Sequence, residues 1–243
     1  MTPLKGWKKF LAVGCSHGAE LCPEARKAVL TFREKWKPDT VIHLGDFLDL
    51  VSFRGGAVRD SNDPDHAASV SEDLSAGLEF LHELRPTHVL MGNHEARLYH
   101  FASSPNALLA HAATLTIERI EEALKKLRAK SLPYTIRSHF TLGDTKFLHG
   151  FMFNVSAIRD HAETYGNVVM AHLHRVGWER ARRSDHASGY CTGTLARLDM
   201  GYAATRRATF AWSQGFAYGY YNDRACSVHL IERRPDMPWL LPL

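Results

Sequence analysis

Cysteine is scarce in this chain: four among 243 residues (Cys15, Cys22, Cys191 and Cys226), with no two spaced as a C-x-x-C pair. That spacing excludes a zinc ribbon and a thioredoxin-type redox motif, and it points to free thiols in a reducing compartment. Long apolar runs are missing too, and none approaches the roughly 20 residues that a membrane-spanning helix needs. The N-terminal stretch is basic, but Phe10-Leu11-Ala12-Val13 is too short for the apolar core of a secretory signal. A cytoplasmic protein with no membrane partner is therefore expected. The chain also lacks internal repeats, low-complexity linkers and any charge break that would demand two domains. One domain over residues 1–243 is expected, a length sufficient for a large core. Histidine, by contrast, is abundant, with 15 copies.

The net charge of +4 is unevenly placed. Residues 170–243 hold ten arginines against six acids, which leaves residues 1–169 neutral overall. The same tail carries ten aromatic residues, among them Trp178, Tyr202, Trp212, Phe216, Tyr218, Tyr220 and Tyr221. Interleaved arginines and aromatics can hold phosphates and stack bases, so nucleic acid is a candidate partner. The favoured reading is a twisted sheet with an aromatic interior and solvated arginines, because aromatics prefer strands in any case.

Apolar patterning divides the chain. Lys9 to Val13 reads as a buried strand, and a helix follows from about Pro23, with proline at its first position, toward Trp36. Lys37-Pro38-Asp39 stops it before a second strand, Thr40 to Leu44. Residues 51–66 read as an irregular loop, 67–84 as an amphipathic helix, His88 to Met91 as a third strand and 106–130 as a long helix. Gly143-Asp144 between Phe140–Leu142 and Lys146–Leu148 signals a hairpin. A helix over 156–165 and a strand from Asn167 to Met170 precede a β-rich remainder, 175–243. The first half is thus βαβαβ and the second mostly strand.

Five short patches carry the chemistry: Cys15-Ser16-His17, Gly45-Asp46-Phe47-Leu48-Asp49, Gly92-Asn93-His94-Glu95, His149-Gly150 and Ala171-His172-Leu173-His174. Each follows a short apolar run and is expected on a loop at a strand's end, where open α/β sheets place their ligands. Together they offer imidazoles, carboxylates and one amide, the donors that hard-to-borderline divalent ions select. Two such ions about 4 Å apart can clamp the attacking and leaving oxygens of a displacement at phosphorus. Asp46 is suited to be the shared carboxylate, with His17, Asn93, His149, His172 and His174 as further ligands. Asn93 adds an oxygen without charge, so the centre stays positive for a phosphate. Coordination lowers the pKa of water to about 7, so the expected nucleophile is a metal-bridging hydroxide. His94 can protonate the leaving oxygen, and Asp49 can orient it. Arg97 is a candidate phosphate contact, and Glu95 reads as structural. His43, His88, His139 and His229 read as core or edge histidines.

In order and spacing, the patches resemble the five motifs of the calcineurin-like metallophosphoesterases: D-x-H, G-D-x-x-D, G-N-H-(D/E), an isolated His and G-H-x-H. The resemblance spans residues 15–174 and extends to the small members of this family found in bacteria and phages. It implies a four-layer αββα sandwich with two mixed sheets and two divalent ions, manganese, zinc, iron or nickel. One ion would take Cys15, His17, Asp46 and His174; the other would take Asp46, Asn93, His149 and His172. His94 matches the catalytic histidine and Asp49 its partner. Two departures stand out. Ala171 replaces glycine, a small change, whereas Cys15 replaces aspartate, a softer donor that favours zinc or iron over magnesium.

The expected function is hydrolysis of phosphate monoesters or diesters, with His94 assisting the leaving group. Two alternatives are a nuclease or nucleotide phosphodiesterase, suggested by the basic aromatic tail, and a metal-binding module disabled by Cys15. A protein serine/threonine phosphatase fits less well, because Leu50-Val51 follows Asp49 where those enzymes carry Arg-Gly.

Overall fold

The computed structural model describes residues 6–63, 65–182, 185–200, 210–234 and 236–243. One six-stranded sheet has the order β11-β10-β1-β2-β3-β4. Its strands are β1 (Lys8–Val13), β2 (Thr40–His43), β3 (His88–Leu90), β4 (Lys130–Leu132), β10 (Gln214–Tyr221) and β11 (Cys226–Arg233). β1 to β4 run parallel, and β10 and β11 extend the sheet antiparallel. The second sheet, ordered β5-β6-β7-β9-β8, contains β5 (Phe140–Leu142), β6 (Thr145–Phe147), β7 (Val168–Met170), β8 (Val176–Arg180) and β9 (Ser188–Thr192). It too is mixed, with β6, β7 and β9 parallel.

Residues alternate across a strand, and the alternation assigns the faces. Phe10 and Ala12 of β1 and Ile42 of β2 turn to the second sheet, where they meet Phe147 of β6 and Met170 of β7. Leu11, Val13 and Val41 turn the other way, onto α1 (Pro23–Trp36) and α3 (Val70–Leu84) through Val29, Phe32, Phe80 and Leu84. Helix α5 (Ala107–Leu127) covers Val89 with Ile120 and Leu124. On the far side, α6 (Ala157–Tyr165) lays Ile158 and Ala162 on the second sheet. The layers are helix, sheet, sheet, helix, the αββα sandwich expected.

Local chemistry sets the helix ends. Pro23 occupies the first turn of α1, the Ser69 side chain accepts from the Glu72 N–H at the start of α3, and Asn106 does the same for Leu108 and Leu109 in α5. Three sequence expectations need correction. Residues 51–66 are not wholly irregular, since they hold a 3-10 turn at Val51–Phe53 and the short helix α2 (Gly55–Arg59). The long helix ends at Leu127, and Lys130–Leu132 pairs with β3 as a strand. The Asn93-His94 patch opens helix α4 (Asn93–Phe101) rather than lying on a loop. No helix among the described residues is long and apolar enough to cross a membrane.

Much of the aromatic tail is internal. Phe216 and Tyr218 pack on Phe32, Tyr218 and Tyr220 meet Trp36 edge-on, and the Tyr221 hydroxyl lies 2.7 Å from that of Thr40. Trp178 is half exposed, with the Arg180 guanidinium 5.7 Å from its ring centroid. Tyr202, Arg206 and Arg207 lie outside the described residues.

Candidate metal centre

All five patches converge at one end of the sandwich, and main-chain hydrogen bonds stitch their loops together. The Cys15 N–H donates to the Gly45 carbonyl at 2.9 Å and the His17 N–H to the Asp46 carbonyl at 3.0 Å. The Ala171 N–H donates to the His149 carbonyl at 3.0 Å, and Leu195 N–H to the Cys15 carbonyl at 3.1 Å. Segments following β1, β2, β6, β7 and β9 thus meet. Gly45 is obligatory here. Its φ of 103° is left-handed, and a Cβ on it would lie 2.7 Å from both the Gly92 nitrogen and the His149 ring.

Left-handed backbone marks the candidate ligands themselves: Cys15 (φ 51°), His17 (51°), Asp46 (52°), His172 (65°) and His174 (56°). Asp and His tolerate this region better than most residues, and cysteine has no such advantage. Such strain persists only where surrounding structure enforces it, and it clusters at functional sites.

Side-chain geometry assigns the imidazoles. His149 Nδ1 donates to the Leu44 carbonyl at 2.8 Å, and Nε2 lies 3.0 Å from Asn93 Oδ1 and 3.2 Å from Asp46 Oδ2. His17 Nδ1 is 2.9 Å from Asp49 Oδ1, and its Nε2 lies 2.9 Å from His174 Nε2. His174 is buried with Nδ1 unpartnered, and the Trp212 ring packs 4.5 Å from its own. His172 turns its ring toward His149, with centroids 5.1 Å apart. Three gatherings have ligand atoms within 4.8 Å of one another: Cys15 with His17 and His174, Cys15 with Asp46 and His149, and His17 with Asp49 and His94. The third is a hydrogen-bonded relay through Asp49 rather than a fresh ion site.

His94 sits on the first turn of α4. Its N–H donates to Asp46 Oδ1 at 2.9 Å, and Nδ1 lies 2.5 Å from the Asp49 carbonyl and 3.3 Å from Asp49 Oδ1. Nε2 faces Asp46 Oδ2 at 3.8 Å. Asp49 therefore touches both His17 and His94, with the shorter carboxylate contact to His17. Arg97, one turn on, donates through Nη1 to the Asp49 and Leu50 carbonyls at 3.2 and 3.4 Å.

Burial raises carboxyl pKa values, yet His149, His94 and His17 hold Asp46 well below the usual range. Burial opposes and hydrogen bonds from His17 and His94 win at Asp49, also held low. His149 keeps its proton more readily than usual because of Asp46, against the effect of burial. Burial pushes His172 down to about 3 and holds His174 well below its ordinary value. Cys15 is pushed well up by burial and by Asp46, so it is a thiol until a cation arrives.

Two buried acids and one neutral histidine support this shell. Glu95 accepts from the N–H groups of Asp46, Leu48 and Gly92 at 2.8–2.9 Å. Burial and Asp46 raise it to about 7. Asp73, on α3, accepts from Ala19, Asp49 and Leu50. Sequence reading did not single out Asp73, because an acid in a helix's first turn reads as a dipole partner. Nor did it bring Trp212 to the centre, since an aromatic in the segment before a strand carries no such signal. His43 is a core histidine, with Nε2 at 3.0 Å from Ser16 Oγ and Nδ1 accepting from the Gly45 N–H.

Strand-end loops on a two-sheet sandwich that gather histidines, an asparagine and a carboxylate define a candidate metal-dependent phosphoesterase site. A family model, calcineurin-like phosphoesterase, matches residues 8–186, and the chain belongs to that family. No curated protein matches the sequence. Among solved structures, the chain is similar to a predicted phosphoesterase from Streptococcus pneumoniae at 16% identity, covering 96% of this chain and 97% of that one with a TM-score of 0.41. It is similar to an archaeal phosphodiesterase at 14% identity, with 92% and 99% covered and a TM-score of 0.47. It is also similar to Vacuolar Protein Sorting 29 from Cryptosporidium parvum at 11% identity, with 96% and 95% covered and a TM-score of 0.49.

Proposed function

We propose that this chain is a two-metal phosphoesterase that hydrolyses phosphate monoesters or diesters. The carrying observation is the gathering of buried ligand atoms around Cys15, with His17 and His174 in one group and Asp46 and His149 in another, while the Nδ1 atoms of His17 and His149 are engaged by Asp49 and the Leu44 carbonyl. The donors fit divalent ions. The Nε2 atoms of His17 and His174 approach to 2.9 Å, close enough for one ion to take both. The buried His174 Nδ1 has no hydrogen-bond partner, an orphaned polar atom in a ring that a cation would engage.

The first ion would be held by Cys15, His17, Asp46 and His174, and the second by Asp46, Asn93, His149 and His172. Zinc, iron, manganese and nickel suit these donors. Bound divalent ions supply Lewis acidity at the phosphoryl oxygens and a water-derived nucleophile at neutral pH. His94 acts as the acid. Its Nδ1 is engaged by the Asp49 carbonyl, which leaves Nε2 as the nitrogen to pass a proton to the leaving oxygen as the P–O bond breaks. Arg97, braced on the main chain, offers its remaining N–H groups to a phosphate oxygen. The chain works as one domain in the cytoplasm.

The test is hydrolysis of bis-p-nitrophenyl and p-nitrophenyl phosphate with zinc, manganese or nickel. His94→Ala is expected to lower kcat about 10²–10⁴-fold, the usual worth of a positioned acid. Asp46→Asn should lose activity and metal together. A wild type no faster than both variants in every metal refutes the enzyme and leaves a metal-binding module. The ratio of the two wild-type rates distinguishes diesterase from monoesterase. Cleavage of single-stranded DNA in the same assay would extend the substrate to nucleic acid.

A further inference from the structure

Cys15 occupies the position where the family pattern has aspartate, and its sulfur has an unusual place. It is the member common to two of the three gatherings of ligand atoms: one with His17 and His174, the other with Asp46 and His149. The Asp46 carboxylate, expected to be the shared ligand, gathers with the second set and not the first. The residue is fastened on several sides. Its N–H is held by the Gly45 carbonyl at 2.9 Å, and its carbonyl accepts from Leu195 N–H at 3.1 Å and Thr194 Oγ1 at 2.7 Å. The left-handed φ of 51° sets where the short side chain emerges. Sγ accepts a hydrogen bond from the His172 N–H at 3.2 Å, and no acceptor for its own proton occurs among the described residues. The side chain is wholly buried.

Resting on the two-metal reading, we propose that Cys15 binds as a thiolate bridging the two ions, instead of as a terminal ligand of the first. Sulfur has lone pairs for two ions and a longer bond than nitrogen or oxygen, about 2.3 Å to zinc, so one fixed atom can serve both. The thiol proton leaves to solvent as the cation enters, and the sulfur keeps the bonding pair. A soft donor shared by both positions biases both toward zinc and iron and away from magnesium.

Cadmium-113 NMR of the protein loaded with cadmium tests this, alongside metal stoichiometry. Sulfur ligation moves a cadmium resonance far downfield of sites with only nitrogen and oxygen donors. Two bound ions with both resonances shifted downfield, and both returning upfield in Cys15→Asp, are expected. One shifted resonance would make the thiolate terminal, and none would remove it from the centre; either result overturns the bridge while leaving a two-metal site. Fewer than two ions per chain overturns the dinuclear centre itself, a failure that stoichiometry reports separately. Cys15→Asp is expected to fold, because aspartate accepts left-handed backbone more readily than cysteine. If it does not fold, Cys15→Ser supplies the same comparison.

Discussion

His43 and His149 look alike in the sequence, each a histidine closing a short apolar run. What separates them is the second ring nitrogen. His43 spends both nitrogens inside the protein, on Ser16 and the Gly45 N–H, whereas His149 keeps Nε2 for Asp46 and Asn93. Burial pushes His43 down to about 3 from 6.5. A group depressed in this way binds a proton more weakly folded than unfolded. Its contribution is complete above pH 6.5 and drains as the pH falls toward 3. Through this range, His43 should cost the metal-free protein about 1.4 kcal/mol of stability per pH unit. Urea unfolding at several pH values should give a slope about one proton smaller in His43→Gln than in wild type. Equal slopes would mean that the ring is hydrated or charged when folded.

At the scale of elements, α4 and α3 brace the site with buried carboxylates. Glu95 on α4 satisfies three main-chain N–H groups, including that of Asp46, which would otherwise be buried without acceptors. Glu95→Ala should cost at least about 3 kcal/mol, since each orphaned donor is worth about 1–3. Glu95→Gln retains one oxygen and should lose about 1–2 kcal/mol. Chemical denaturation with circular dichroism measures both, and equal losses would mean that repacking, not hydrogen bonding, sets the cost. The sequence signals long elements better than short ones. α1, α3 and α5 have apolar residues on a helical period over many turns, and each was legible. α4 spans nine residues and begins inside a ligand patch, while β4 has three residues, none of them buried. Neither offers enough periods to read.

Across the whole molecule, the ligands come from both sheets: Cys15, His17, Asp46 and Asn93 follow strands of the first, and His149, His172 and His174 follow strands of the second. Ions bound there join the two sheets. Zinc at 100 times its dissociation constant should stabilise the wild type by about 2.7 kcal/mol per site, read as a rise in Tm, and Asp46→Asn should remove most of that rise. Phe147 meets Phe10 edge-on across the sandwich, with ring centroids 5.2 Å apart. Phe147→Ala should cost about 3–5 kcal/mol. Because β6 leads directly to His149, metal titration of the folded variant should also show weaker binding. Unchanged affinity would mean that the loops hold their ligands without the packing beneath them.

Which donors are present, in what order and beside which apolar runs is a local property of the chain. The sequence alone therefore determined the five patches and the anomaly at Cys15, and the family resemblance those patches carry implied the αββα class. Whether a histidine is ligand or core, whether Asp49 faces His17 or His94, and that Asp73 and Trp212 stand beside the centre were decided by tertiary structure alone. Those facts depend on atoms brought together from positions far apart in the chain, as Thr194 is from Cys15, 179 residues away. Neither propensity nor spacing along the chain records the directions in which such side chains point once the two sheets have packed.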